Sequence, residues 1–193
     1  MDISEAMIAK RIRVRKDIED RCKSFIEKKI DRYLELDHQK VIPGHYFAHV
    51  SSQCIDLYRD GYFIGAVMMS HATNEGIVKY VAERNDIERD VSDGTMSIDE
   101  AIEKLRKKKV FSDDCADASI KIYKSYRNDI HHMNSTVGKI DFHKLAQQNL
   151  KYLSTIEKEI FGCKFTTGAI VPNQPKYWDI NPDGTAPISM RYD

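Results

Sequence analysis

Arginine, amide and imidazole side chains lie close together between Tyr126 and His132. If this stretch is helical, Arg127 lies one turn from His131, and Asn128 lies one turn from His132. Histidine titrates near neutrality and can give or take a proton, whereas arginine keeps its charge and binds phosphate oxygens. RNA cleavage through the 2′-hydroxyl needs a base, an acid and positive charge at the phosphate, so this set of residues suits that reaction.

A second set of polar residues follows the apolar run from Phe63 to Met69. His71, Glu75 and Lys79 lie at intervals of four residues and would share one face of a helix. Polar groups that leave a buried helix need hydrogen-bond partners. They could tie helices together in an internal network, or they could orient a functional residue on a neighbouring helix.

Two histidines, His45 and His49, have the spacing of metal ligands on a helix. No cysteine or carboxylate near them in sequence completes a ligand set, so ordinary surface or capping histidines are the favoured interpretation. We therefore predict neither a metal site nor a cofactor. RNA cleavage by histidine and arginine does not require a metal in principle.

Composition and charge limit the partners that the chain is expected to bind. Thirty basic residues balance thirty acidic residues in 193, so a nucleic acid would have to be bound by a local patch. The four cysteines lie far apart, and neither a signal peptide nor an apolar run of about 20 residues is present. These features predict a cytoplasmic protein with free thiols and no membrane partner.

Helices are predicted for most of the chain, because four of the five prolines fall in the last 22 residues. Apolar periodicity and capping signals place their boundaries. Pro43 and Gly44 are predicted to break the chain. The predicted helices run from about Ile3 to Leu36, from after Gly44 to about Asp60, from Tyr62 to about Arg84, from the Ser97–Glu100 capping box to about Lys109, from Ser112 or Asp113 through Ile130, and from Asp141 to Gly162. Residues 85–96 are predicted to be an acidic connection.

The two ends of the chain differ from its middle. In the first helix, the apolar side chains of the second half, such as Ile18 and Phe25, are predicted to pack. Its first half is basic, which favours a solvated arm, with RNA phosphate or a protein partner as alternatives. We predict a helical domain over residues 1–163 and an extended, proline-rich tail over 164–193 that is mobile or lies on the bundle, with Tyr177 and Trp178 as anchors.

The sequence from Arg127 to His132 resembles the Arg-Asn-x-x-x-His motif of the HEPN superfamily. The stretch from Leu57 to Ala66 is similar to paired helices of that family, and Glu75 with Lys79 resembles an acidic-basic pair found in some of its branches. The resemblance covers about residues 45 to 161. It implies an all-α, antiparallel bundle of four to five core helices, with the N-terminal helix and the C-terminal tail as additions.

The resemblance also implies function. In such a protein His132 would be the catalytic acid or base, Arg127 would bind phosphate, and Asn128 would be a positioning residue. His131 could assist or could face the core, and Glu75, Lys79 and His71 could assist. The implied protein is a homodimeric, metal-independent endoribonuclease of a defence, abortive-infection or toxin–antitoxin system. The alternative is a non-catalytic HEPN module that binds an antitoxin or another protein partner.

Overall fold

The structure is a computed structural model that describes residues 3–87 and 96–191. The chain divides into two units, Met1–Glu35 and Leu36–Asp193. The first unit is one long helix, α1 (Ile3–Leu34). The predicted acidic connection over 85–96 lies largely outside the described residues, because 88–95 are not among them.

The second unit is a helical bundle, which confirms the predicted all-α fold class. Two short 3-10 helices, Ser135–Lys139 and Pro175–Tyr177, accompany its α-helices. The α-helices are α2 (Ala48–Arg59), α3 (Phe63–Glu83), α4 (Ile98–Lys107), α5 (Asp113–Tyr123), α6 (Arg127–His131) and α7 (Phe142–Phe161).

Several helix boundaries follow from local chemistry, as predicted. Ser97 and Glu100 form the reciprocal capping box at the start of α4. The side chain of Ser112 accepts a hydrogen bond from the Cys115 N–H, and Asp141 accepts one from the Lys144 N–H. These bonds satisfy backbone donors that the first turn of a helix leaves free.

The turn between α2 and α3 explains how these two helices become neighbours. Gly61 has φ of 82°, a left-handed conformation that glycine adopts without a steric penalty. The Gly61 N–H donates to the Tyr58 carbonyl and the Tyr62 N–H donates to the Leu57 carbonyl, which is the Schellman pattern of a helix end. A connection of three residues, 60–62, then leads directly into α3.

Helix α3 lies at the centre of the core. Ala66, Val67, Ile77, Val78 and Val81 have no exposed surface. The helix packs against α2, α4, α5 and α7. The polar side chains at the exposed edge of α3 therefore extend from a helix whose backbone is held on several sides.

The apolar side of α1 does not match the prediction that its second half packs. Ile18, Phe25, Ile26 and Ile30 are exposed, and the buried core is built from residues between Val41 and Trp178. The periodicity correctly predicts a helix with an apolar side. It contains no information about which surface, if any, covers that side.

The tail from residue 164 onward is more regular than predicted. Strands β2 (Cys163–Thr166) and β3 (Ala169–Pro172) form a hairpin. Farther along, β4 (Ile188–Met190) pairs with β1 (Val41–Pro43) in antiparallel register. This pairing joins segments that lie far apart in the sequence.

The predicted anchors of the tail, Tyr177 and Trp178, are both buried. His45 contacts this part of the tail, since its Nε2 lies 3.0 Å from the Tyr177 carbonyl oxygen and its Nδ1 lies 3.2 Å from Asp179. Arg84 also pairs with Asp179. The tail therefore lies on the bundle through buried aromatic rings and specific polar contacts.

Replacing Trp178 with alanine is expected to lower the free energy of unfolding by about 3–5 kcal/mol, because it empties a buried aromatic site. Trp178→Phe is the matched control. The indole N–H has no hydrogen-bond partner among the described residues, so phenylalanine should cost clearly less. Urea unfolding measures both values, and an alanine variant as stable as wild type would contradict the packing of the tail.

Candidate active site

The Arg127 motif begins at a break in the helix, not at the end of a continuous helix as predicted. Helix α5 ends at Tyr123, and α6 starts again at Arg127. Between them Tyr126 adopts φ of 50° and ψ of 12°, a left-handed conformation that is uncommon for a residue with a side chain. The prediction that Arg127 lies at the C-terminal end of a long helix is therefore wrong. Arg127 is the first residue of a helix of five residues.

Contacts within the turn explain why the helix breaks there. The Ser125 hydroxyl donates to the Ile122 carbonyl at 2.8 Å. The Ser125 carbonyl oxygen lies 2.8 Å from Nε2 of His71 on α3. The carbonyl is thus bonded to a neighbouring helix, and the buried side chain of Ile130 attaches α6 to the core.

Glu75 connects the predicted polar face of α3 to the motif. Its Oε1 lies 2.6 Å from Nζ of Lys79, and its Oε2 lies 3.1 Å from Nη1 of Arg127. Burial opposes ionisation of Glu75, but the two cations outweigh it and lower the pKa of the carboxyl group. Two positive charges around one carboxylate leave this cluster with a net positive charge, which suits an anionic ligand.

Arg127 stays accessible despite its ion pair. About 46% of its side chain is exposed, whereas 26% of the Glu75 side chain is exposed. Glu75 holds one terminal nitrogen of the guanidinium, and a planar guanidinium has further N–H groups that can bind a phosphate. The geometry therefore orients Arg127 without consuming its capacity to bind an anion.

Two cavities adjoin Arg127. The α3 cavity has a volume of about 350 Å³ and is lined by Tyr46, Met68, His71, Ala72, Glu75, Gly76, Lys79 and Arg127. The turn cavity has a volume of about 280 Å³ and is lined by Tyr123, Lys124, Tyr126, Arg127, Asn128 and Asp129. Arg127 is common to both cavities, so an anion bound to it could extend into either one.

Aromatic rings stand at both cavities. Tyr46 is 69% exposed, and its hydroxyl donates to the Gly76 carbonyl at 3.2 Å. Tyr126 is 48% exposed. Exposed tyrosines beside a cation are a common means of binding single-stranded nucleic acid, because nucleobases stack on the ring while the cation meets the phosphate.

A larger cavity of about 610 Å³ lies at α4 and α5. The residues that line it include the carboxylates Asp99, Glu100 and Glu103 and the cations Lys104 and Lys107, with no imidazole among the described ones. Carboxylates and ammonium groups are mixed there, without an imidazole among the described lining residues to transfer a proton. The two smaller cavities at Arg127 therefore suit the binding and cleavage of a phosphodiester better than the large cavity does, because they offer an arginine and, in the α3 cavity, a histidine.

His131 and His132 occupy a different position from the other predicted site residues. Both side chains are exposed, and their rings pack edge to face with the ring centroids 5.1 Å apart. Neither lines the α3 cavity or the turn cavity, whereas Asn128 lines the turn cavity. Within one chain, the structure brings Arg127 together with Asn128, and also with Glu75, Lys79 and His71, but leaves the histidine pair facing outward.

Asp129 supports the shape of the motif. Its Oδ1 accepts hydrogen bonds from Thr136 at 2.8 Å and from Asn134 at 3.2 Å. The two bonds lower the pKa of the Asp129 carboxyl group, and the bond from Thr136 has the larger effect. Asp129 thus stabilises the turn after the histidines, while Arg127 takes Glu75 as its ionic partner.

The predicted His45 and His49 pair does not share a helix, because α2 starts at Ala48. His45 contacts the tail, and His49 is exposed beside Gln53. Over residues 3–87 and 96–191, no group of three or more His, Cys, Asp or Glu side chains is arranged to hold a metal ion.

The polar core behind the motif was not predicted from the sequence. The amide of Asn149 on α7 donates to the Ser70 hydroxyl and to the Ser125 hydroxyl, each at 3.0 Å. Asn149 is buried next to Leu150. A polar residue on the apolar side of a predicted helix is the signal that could have identified it, because a buried amide needs partners.

None of the helices among the described residues is long and apolar enough to cross a membrane. Comparison with known proteins returned no match to any family model, curated protein or solved structure.

Proposed function

We propose that this chain is an endoribonuclease that cleaves RNA without a metal ion and leaves a 2′,3′-cyclic phosphate. The observation that carries the proposal is the position of Arg127, which Glu75 orients where two cavities adjoin while nearly half of the Arg127 side chain stays exposed. A preorganised cation of this kind stabilises the charge that develops on a phosphodiester in the transition state.

The residues around Arg127 supply the remaining roles. His132 is the proton donor or acceptor, with His131 beside it as an assisting group. Asn128 lines the turn cavity and positions the substrate by hydrogen bonds. Lys79 adds positive charge at the other cavity, and Glu75 keeps the two cations in place.

A homodimer would bring a second copy of the motif to the site. His131 and His132 are exposed and lie outside the cavities of their own chain, an arrangement that supports a role towards RNA held by another copy. The HEPN resemblance supports the same assembly. We place the activity in a defence or stress response, where a toxin of this kind would be restrained by a protein partner.

His132→Ala is expected to lower kcat/KM for RNA cleavage by about 10²–10⁴-fold, because it removes a proton-transfer group. The assay uses single-stranded RNA in excess EDTA with proteins of equal fold and oligomeric state. His49→Ala is the control, since it removes an exposed histidine on a different helix. Equal cleavage by wild type and His132→Ala would refute the role of His132, and no cleavage by wild type would refute the nuclease.

One observation favours a second candidate function, a non-catalytic interaction module. The apolar side chains of α1 between Ile18 and Leu34 are largely exposed, and exposed apolar surface of this kind marks binding sites for proteins. Sedimentation of the full chain discriminates between the two. A strict monomer at micromolar concentration that is inactive towards RNA would favour the interaction module.

A further inference from the structure

The α3 cavity contains one imidazole, and it does not come from the motif. Among the described residues that line this cavity, His71 is the only histidine, and it stands there with Arg127, Glu75 and Lys79. Cleavage through the 2′-hydroxyl needs a proton acceptor close to the cation that binds the phosphate. His71 is therefore the proton-transfer group that the chain itself places beside Arg127.

The hydrogen bonds around His71 assign its proton. The Ser125 carbonyl oxygen, 2.8 Å from Nε2, can only accept. The Ser125 hydroxyl, 3.1 Å from Nε2, already donates to the Ile122 carbonyl and so also acts as an acceptor towards the ring. Nε2 must therefore carry the hydrogen, and in the neutral ring the lone pair lies on Nδ1.

A buried network holds this arrangement in place. Asn149 donates to the Ser125 hydroxyl and to the Ser70 hydroxyl, and Ser70 in turn donates to the Val67 carbonyl. Each hydroxyl thus has its own donor and acceptor roles filled. The network leaves Ser125 no proton to give to Nε2, so the tautomer of His71 follows from atoms on three different helices and the turn.

Burial, with the charge of Arg127, keeps the His71 ring able to accept a proton at neutral pH. Burial lowers the pKa of His71, and Arg127 lowers it further. The bond to the Ser125 carbonyl and the charge of Glu75 act in the opposite direction and do not offset burial. A neutral imidazole with a free lone pair is the form that a general base requires.

We infer that Nδ1 of His71 is the general base of the proposed cleavage reaction, taking the proton of the RNA 2′-hydroxyl while Arg127 of the same chain binds the adjacent phosphate. The 2′-oxygen then bonds to phosphorus, and the bond from phosphorus to the 5′-oxygen breaks. The 5′-oxygen takes its proton from His132 of a second copy of the chain, which is thereby the acid, because His132 lies outside the cavities of its own chain. This inference rests on the proposed nuclease function and divides its acid and base roles between two different helices.

His71→Gln is the sharpest test, because the glutamine amide can still donate to the Ser125 carbonyl but offers no base. With equal folding, kcat/KM should fall by about 10²–10⁴-fold. The wild-type rate should rise with pH through the lowered pKa of His71, and this limb should vanish in the variant. Added imidazole should restore part of the activity of His71→Ala. Cleavage by His71→Gln at the wild-type rate would overturn the inference. A slower His71→Gln protein that keeps the rise of the rate with pH, together with no imidazole rescue of His71→Ala, would overturn it as well.

A binding measurement separates this inference from the nuclease proposal. The protein is labelled with ¹⁵N-histidine and titrated with uridine 3′-monophosphate, with 2′-deoxyuridine 3′-monophosphate as the matched ligand that lacks the hydroxyl. We expect an Nε2–H tautomer of His71 at pH 7 and a shift of its Nδ1 resonance that depends on the 2′-hydroxyl. An Nδ1–H tautomer, or a resonance that neither nucleotide moves, would overturn the inference whether or not the wild type cleaves RNA.

Discussion

Arg191→Met is expected to lower the free energy of unfolding by about 3–5 kcal/mol, because it leaves a buried carboxylate without its cation. The guanidinium binds Glu157 through two nitrogens, at 2.6 Å and 2.8 Å, and only 2% of each side chain is exposed. Arg191 also donates to the Ser51 hydroxyl and to the Gln39 carbonyl. Among the described residues, few charged side chains are as deeply buried.

The position of Arg191 explains why its loss should affect the whole bundle. It directly follows β4, and its backbone N–H donates to the Lys40 carbonyl at 2.9 Å. Glu157 lies on α7 and also accepts from Ser51 on α2 at 2.6 Å. One side chain of the tail therefore holds two core helices and the β1 segment together.

Two further variants identify the cause of the expected loss. Arg191→Lys keeps the charge but cannot form the paired hydrogen bonds, so an intermediate loss is expected. Adding Glu157→Gln to Arg191→Met should recover part of the stability, because the unpaired charge is gone. Urea unfolding curves give all values, and an Arg191→Met protein as stable as wild type would contradict the buried ion pair.

Arg127→Ala is expected to lower kcat/KM for RNA cleavage by about 10²–10³-fold, because it removes a preorganised charge from the transition state. Stability should hardly change, since a partly exposed ion pair contributes at most about 1 kcal/mol. The two magnitudes differ enough that loss of activity cannot be confused with unfolding. Arg127→Lys should recover only part of the rate, because lysine lacks the planar set of donors.

The control for this experiment is Lys151→Ala, which removes an exposed cation from α7. It separates the specific role of Arg127 from a general loss of positive charge. Initial rates in EDTA at two salt concentrations measure both. Equal losses in the two variants, or an Arg127→Ala protein that cleaves RNA like wild type, would show that Arg127 does not act on the phosphate.

Local signals were sufficient to predict most of the bundle from sequence. The Ser97 capping box, the Asp141 cap and the stop at Gly162 each depend on a few neighbouring residues, and the structure contains all three. The pairing of Glu75 with Lys79 is of the same kind, since residues four apart in a helix are neighbours.

Features that depend on distant residues were not predicted. The apolar periodicity continues from Ile120 to Ile130 across the break, so sequence alone favours one helix. The break instead depends on the bond between His71 and the Ser125 carbonyl, which joins residues 54 positions apart. The pairing of β1 with β4 and the bond between Arg191 and Glu157 are likewise long-range contacts that no local rule specifies.

The structure brings some of the predicted site residues together and separates others. Arg127, Asn128 and His132 were expected to carry the chemistry, with His131, Glu75, Lys79 and His71 assisting. Arg127 lines both cavities, Asn128 lines the turn cavity, and Glu75, Lys79 and His71 line the α3 cavity, whereas the histidine pair lines neither. Their roles in catalysis stay predictions. The outward position of the histidine pair could not be foreseen, because it follows from the break that reorients α6.

The ends of the RNA products test the central proposal most directly. Wild-type protein in excess EDTA is incubated with an oligoribonucleotide and with the same sequence carrying 2′-O-methyl groups, and the products are analysed by mass spectrometry. Attack by the 2′-hydroxyl predicts 2′,3′-cyclic phosphate and 5′-hydroxyl ends from the first substrate and an intact second substrate. Products with 3′-hydroxyl and 5′-phosphate ends, or cleavage of the methylated substrate, would contradict the proposal.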